Sequence, residues 1–174
     1  MSNYKALLSK VTTFIFDYDG VMTEGIIILT NDGEPLRTAN VKDGYALQLV
    51  QKLGYNVVII SGGYSPSMSK RFESLGIKDV FLGVSDKMLV YDEYVRKSQI
   101  KPENILYMGD DIPDYLPMKS CGVPVCPADA SQEIKNISMY ISHLDGGKGC
   151  VRDIIEQVLK VQGKWMMNSD AHTW

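Results

Sequence analysis

Apolar residues along this chain fall into short runs, separated by longer stretches in which they recur every three or four positions. Val11-Thr-Thr-Phe-Ile-Phe16 is short, β-branched and aromatic, and it stops at Asp17. Tyr55-Asn-Val-Val-Ile-Ile60 stops at Ser61-Gly62-Gly63. Asp79–Leu82, Ile105–Met108, Val123–Val125 and Met139–Ser142 have the same character. Runs of this length, bounded by turn residues, predict buried strands. The stretches between them predict helices: Asp43 to Gly54 with Asp43 as cap, Ser65-Pro66 to Gly76, Asp86 to about Lys97, Ser131 to Asn136, and Gly149 to Gly163.

Strand–helix alternation of this kind predicts a Rossmann-like, doubly wound parallel α/β sheet with helices on both faces. In such sheets ligands bind beyond the carboxyl ends of the strands. One segment departs from the alternation. Ile26–Leu29 and Leu36–Val41 flank Asn31-Asp32-Gly33, which predicts a β-hairpin over about residues 25–41 that projects after the first strand.

Composition narrows the classes. With 174 residues, 45% of them hydrophobic and 22% charged, the chain fits one globular domain and excludes disordered or fibrous classes. The net charge of −3 leaves no basic excess for a nucleic-acid partner. No run approaches the ~18 apolar residues of a membrane span, so no membrane partner is expected. The first residues lack a signal peptide's apolar stretch. Cys121, Cys126 and Cys150 form no C-x-x-C pair, which argues against a disulfide framework or a cysteine zinc site and fits a reducing cytoplasm. The cysteines are expected to pack, and the lone His143 and His172 to be structural.

The strand ends carry the chemistry. The first delivers Asp17-Tyr18-Asp19-Gly20-Val21-Met22-Thr23, the second Ser61-Gly62-Gly63, and the fourth Gly109-Asp110-Asp111-Ile112-Pro113-Asp114; Lys87 follows the third. A doubly wound sheet brings all four sets to one crevice. Clustered carboxylates repel one another unless a cation neutralises them, and oxygen-only ligands suit Mg²⁺. A lysine, a hydroxyl and backbone N–H groups beside that cation are equipment for holding a phosphoryl group.

Asp17-x-Asp19-Gly-Val-x-Thr, then Ser61-Gly62, then Lys87, then Gly109-Asp110-Asp111-x-x-Asp114 resembles, in order and spacing, the four-motif set of the haloacid dehalogenase-like phosphatases. That resemblance implies Asp17 as nucleophile, forming an aspartyl-phosphate, and Asp19 as the acid that protonates the leaving alkoxide and then the base for water. It implies Mg²⁺ held by Asp17, the Asp19 carbonyl and Asp110. Ser61 and the Gly62 N–H would bind phosphate, Lys87 would neutralise nucleophile and phosphate, and Asp111 and Asp114 would support the metal and Lys87. Signalling receiver domains share the fold and an aspartyl-phosphate, but their phosphoacceptor ends a middle strand and has no partner acid two residues on.

Neither interval between the first three motifs has room for a cap domain. The site is therefore expected to stand open in a monomer, with walls supplied by a homotetramer through the hairpin. Among capless members the chain resembles the 3-deoxy-D-manno-octulosonate 8-phosphate phosphatases of lipopolysaccharide biosynthesis and the related nonulosonate 9-phosphate phosphatases. The shared features are Asn40-Val41-Lys42-Asp43-Gly44, Lys70-Arg71 and Gly146-Gly147-Lys148-Gly149-Cys150-Val151-Arg152-Asp153. Val161-Gln162-Gly163-Lys164-Trp165 resembles the octulosonate branch, in which a flexible tail folds over an active site. The resemblance thus implies a core over 1–163, a flexible tail over 164–174, and Arg71 as a substrate-carboxylate contact. The nonulosonate glutamate is absent at Gly63, and so is the arginine common there in octulosonate enzymes, which leaves other sugar phosphates open as substrates.

Overall fold

The computed structural model describes residues 4–167. Its strands are Thr13–Phe16 (β1), Ile28–Leu29 (β2), Pro35–Leu36 (β3), Asn56–Ile60 (β4), Asp79–Phe81 (β5), Ile105–Met108 (β6), Val123–Cys126 (β7) and Tyr140–Ile141 (β8). Its helices are Tyr4–Leu8 (α1), Val41–Lys52 (α2), Pro66–Ser74 (α3), Lys87–Ser98 (α4), Tyr115–Ser120 (α5), Gln132–Ile137 (α6) and Cys150–Val161 (α7). Six strands form one sheet in the order β5-β4-β1-β6-β7-β8, and every pairing in it is parallel. The chain leaves β1 toward β4 on one side and later crosses to β6 on the other. The crevice at that reversal opens beyond the carboxyl end of β1.

Burial on both faces explains why the inner strands β1, β4, β6 and β7 read as nearly continuous apolar runs, whereas β5 and β8, expected to be buried, lie at the sheet edges and are partly exposed. Successive side chains point to opposite faces. Phe14 and Phe16 therefore enter the layer built with α1, α2, α3 and α7, while Ile15 enters the layer of α4, α5 and α6. Val57 and Ile59 against Val58 and Ile60, and Leu106 and Met108 against Ile105 and Tyr107, divide the same way. Each fully buried side chain of this size contributes about 1.5–3 kcal/mol. On α7, Cys150, Val151, Ile154, Ile155, Val158 and Leu159 form a buried stripe at helical spacing.

Capping follows the expected chemistry at α3, where Ser65 accepts from the Met68 N–H and Pro66 opens the helix. It differs at α2. The cap there is Asn40, whose side chain accepts from the N–H groups of Lys42 and Asp43, so the helix starts earlier than expected. Asp43, inside the first turn, turns to another helix: its Oδ1 accepts the Arg152 N–H of α7 at 2.8 Å. The cap residue of α7 itself, Gly149, makes no side-chain cap bond. The hairpin forms, but its strands pair only at Ile28–Leu36 and Leu29–Pro35, as a separate two-stranded sheet. No helix among the described residues is long and apolar enough to cross a membrane.

Candidate active site

Asp17 continues the ladder of β1, its N–H donating to the Met108 carbonyl at 3.0 Å. Its carboxylate is thereby set just beyond the central strand, between the ends of β4 and β6. The chain then turns sharply at Gly20, whose φ is +88° and where a Cβ would stand 2.1 Å from an Asp110 oxygen. From β4, Ser61 is anchored by its N–H to Phe81 at 2.9 Å, and its Oγ accepts the Gly63 N–H at 3.1 Å. Asp86 caps α4 through Met88 and Leu89, which fixes Lys87 as the first helical residue and aims it inward. From β6, Gly109 makes room for Asp114: a Cβ at position 109 would stand 2.4 Å from that of Asp114.

These elements enclose a cavity of about 360 Å³ whose lining includes Asp17, Asp19, Ser61, Gly62, Lys87 and Asp110. Asp111 and Asp114 also line it. A larger cavity of about 540 Å³ lies between β5 and α4, but its lining has no comparable cluster of charge. Inside the smaller one, Lys87 Nζ lies 2.9 Å from Asp17 and 2.7 Å from Asp114. Asp114 also accepts the Tyr107 hydroxyl at 2.9 Å and the Asp110 N–H at 3.3 Å.

One ammonium does not neutralise this group. Burial, then the charge of Asp114, pushes Asp17 well above the usual carboxylate range, although Lys87 pulls it down. Burial and Asp114 likewise push Asp110 up to about 7. Burial pulls the Lys87 ammonium down, but Asp114 and Asp17 together outweigh it and the net shift is upward. Carboxylates that crowd together with too little positive charge to balance them fit a hard cation. Oxygen atoms of Asp17, Asp110 and Asp114 all lie within 4.8 Å of one another. This donor set suits Mg²⁺. Asp114 already serves three donors, so Asp17 and Asp110 have the freer oxygens.

Two expected residues stand outside this ion cluster, although Asp19 lines the same cavity. The Asp19 side chain points at Arg37, whose Nε donates to Asp19 Oδ1 at 2.7 Å. Arg71 does not line the main cavity; it borders a much smaller one with Tyr18, Asn40 and Asp43. Sequence reasoning missed Arg37 and Tyr107. Arg37 lies eighteen positions from its partner, on the hairpin, with no local pattern to flag it. Tyr107 reads as a core residue of β6 and is one, apart from its hydroxyl. Of the expected tail, only the first residues are described. Lys164 lies over the Tyr55 ring, 4.7 Å from its centroid, at the amino end of β4 and so at the opposite end of the sheet from Asp17. Trp165 packs against the core of this same subunit. The rest of the tail, residues 168–174, lies outside the described residues.

No protein-family model matches the chain. Among curated proteins, the 3-deoxy-D-manno-octulosonate 8-phosphate phosphatase KdsC of Salmonella typhi is 35% identical over 155 residues, covering 89% of this chain and 82% of that protein. The chain belongs to the KdsC family. KdsC of Escherichia coli K12 is 34% identical over 159 residues, 91% of this chain and 85% of its own. Among solved structures, the Yersinia pestis octulosonate phosphatase superposes with a TM-score of 0.91 at 33% identity, covering 94% of this chain and 88% of that one. The Moraxella catarrhalis enzyme, solved with a magnesium ion, a phosphate ion and a KDO molecule, gives 0.90 at 29% identity over 94% of each chain. Consistent with the KdsC fold, no cap domain interrupts the described residues. Only the hairpin, α2 and β4 separate Asp17 from Ser61, and only α3 and β5 separate Ser61 from Lys87.

Proposed function

We propose that this chain is an Mg²⁺-dependent phosphomonoesterase that hydrolyses 3-deoxy-D-manno-octulosonate 8-phosphate to the free sugar acid and phosphate, a step of lipopolysaccharide biosynthesis. The observation that carries the chemistry is the cavity in which Lys87 bridges Asp17 and Asp114 beside Asp110, Asp19 and Ser61. Family membership, and the KDO, magnesium and phosphate bound to the Moraxella relative, support the substrate and the metal.

In this reading Asp17 and Asp110, with the Asp19 carbonyl, hold Mg²⁺, which supplies positive charge to the phosphoryl oxygens. The Ser61 hydroxyl and the Gly62 N–H take phosphate oxygens and orient phosphorus toward Asp17. An Asp17 oxygen forms a bond to phosphorus as the ester P–O bond breaks, and Asp19 gives its proton to the departing sugar oxygen. Water then attacks the aspartyl-phosphate and Asp19 takes a proton from it. Phosphate leaves, and both carboxyl groups return to their starting state. Lys87 offsets the charge of Asp17 and the phosphoryl group throughout, and Asp114 with Tyr107 holds Lys87 in place. Arg71 is assigned to the sugar-acid carboxylate on the family resemblance, with its guanidinium here lying against Gly44 beside the small cavity at Tyr18.

Walls for the open cavity are assigned to a homotetramer built through the hairpin. There Ile26, Ile28 and Leu29 are 65%, 56% and 82% exposed, an apolar strip that water does not favour. The cysteines are free, which supports the cytoplasm as the compartment. The test is a panel of phosphate esters assayed with Mg²⁺. Octulosonate 8-phosphate should exceed nonulosonate 9-phosphates and common hexose phosphates by at least about tenfold in kcat/KM, and chelation should abolish turnover. A nonulosonate ester turned over faster would overturn the substrate; full activity after demetallation would overturn the metal.

A further inference from the structure

The hairpin reaches into the site through one side chain. Arg37 follows β3, and its side chain is only 6% exposed although the hairpin strands themselves are exposed. Its Nε donates to Asp19 Oδ1 at 2.7 Å, and its Nη1 donates to the Pro35 carbonyl at 3.3 Å, which braces the guanidinium against its own strand. Thr23, fully buried, donates weakly to the same Asp19 oxygen at 3.4 Å. The second Asp19 oxygen lies over Gly63. A Cβ built on Gly63 would stand 2.7 Å from Asp19 Oδ2 and 2.9 Å from Arg37 Nη2. Gly63 does not have a positive φ, so a left-handed backbone is not what requires glycine here. The glycine is there for space, and Asp19 and Arg37 together occupy that space.

We propose that Arg37 and Gly63 are a matched positioning pair for the proton-transfer step. Arg37 fixes the Asp19 carboxyl group at the cavity wall through Oδ1, which leaves Oδ2 as the oxygen that carries the proton given to the departing ester oxygen and regained from the attacking water. Gly63 leaves the gap in which that pairing forms. The inference rests on the reading of Asp19 as the acid and base. A carboxylate that must meet an ester oxygen within hydrogen-bond reach loses rate when it swings freely, because orientation is part of the barrier. An acid matters most when the leaving oxygen is basic. Loss of the pair should therefore slow a sugar phosphate and spare an ester whose leaving group needs no proton.

The experiment compares octulosonate 8-phosphate with p-nitrophenyl phosphate on the Mg²⁺-loaded enzyme, with thermal melts to establish folding. Arg37→Met should lower kcat on the sugar ester by about 10–100-fold and on the nitrophenyl ester by less than about threefold. Arg37→Lys, which keeps a charge but loses the fork, should recover part of the loss. Gly63→Ala should show the same selectivity, and adding it to Arg37→Met should cost little more, because the two act through one contact. Asp19→Asn is the reference. If it is not selective, the acid reading falls and this inference with it; if it is selective and Arg37→Met is not, the inference alone falls. A rise in KM for the sugar acid at unchanged kcat would make Arg37 a substrate contact and overturn the positioning role, as would fully multiplicative losses in the double variant. Should Gly63→Ala fail to fold, the Arg37→Met and Arg37→Lys pair decides the outcome.

Discussion

Lys87 Nζ sits 2.7 Å from Asp114 and only slightly farther, 2.9 Å, from Asp17, so two buried carboxylates share one ammonium. Removing one member of a buried ion pair destabilises by about 3–5 kcal/mol, because the other charge is left without compensation. Lys87→Met should therefore melt well below the parent protein in chelator. Mg²⁺ should raise its melting temperature more than it raises the parent's, since the cation then replaces the lost charge. Turnover should fall by at least about 100-fold even with Mg²⁺. An equal Mg²⁺ shift in both proteins would separate Lys87 from the metal site.

Asp17→Asn should fold and lose more than about 99% of turnover, since the amide does not attack phosphorus. Because the neutral amide also lacks the charge that crowds Asp110 and Asp114, the variant should be no less stable than the parent in chelator. Acid-quenched parent enzyme should carry a phosphoryl group on Asp17, detectable by mass spectrometry of its peptides. Its absence under burst conditions, with turnover intact, would point to direct attack by water.

Asp43 connects α2 to α7 and is 2% exposed, and one of its oxygens, Oδ2, has no hydrogen-bond partner. Burial pushes its carboxyl up to about 6, with the Arg152 N–H pulling the other way. Between the ordinary carboxylate value near 4 and about 6, the folded chain therefore binds a proton that the unfolded chain has lost. Asp43 thus favours the fold most below about pH 4, and that contribution is lost as pH rises through about 6, by on the order of 2–3 kcal/mol. Asp43→Asn, which keeps an acceptor for Arg152, should gain stability relative to the parent over that interval. Urea unfolding at several pH values measures it; parallel pH profiles for the two proteins would show that Asp43 does not ionise in the fold.

Ile27→Asp tests the hairpin. Ile27 is 43% exposed in a strip of aliphatic residues. A charge there should cost the isolated subunit almost nothing, while desolvating it in an interface costs several kcal/mol. Sedimentation should show a shift toward smaller species, with turnover of the sugar acid falling in parallel. A parent protein that sediments as a fully active monomer would remove the oligomer from the proposal.

Local chemistry makes much of this protein legible before folding. The runs of the four inner strands, β1, β4, β6 and β7, announce themselves because strands buried on both faces must be nearly apolar throughout, while the edge strands β5 and β8 keep the pattern although partly exposed. Ser65-Pro66 and Asp86 announce helix starts because capping needs only the residue and the next turn. Asp17, Ser61, Lys87 and Asp110 stand at strand ends or a helix start, so the topology alone gathers them in one crevice. What no run of sequence carries is partnership across the chain. Asp43 reads locally as the cap of its own helix and instead caps α7, more than a hundred residues away. Arg37 carries no local signal on its hairpin and yet holds Asp19, and Gly63 reads as a turn glycine and instead gives those two their space. A side chain's nearest neighbours in sequence decide its backbone, but its charge is satisfied by whatever the tertiary fold places within about 3 Å.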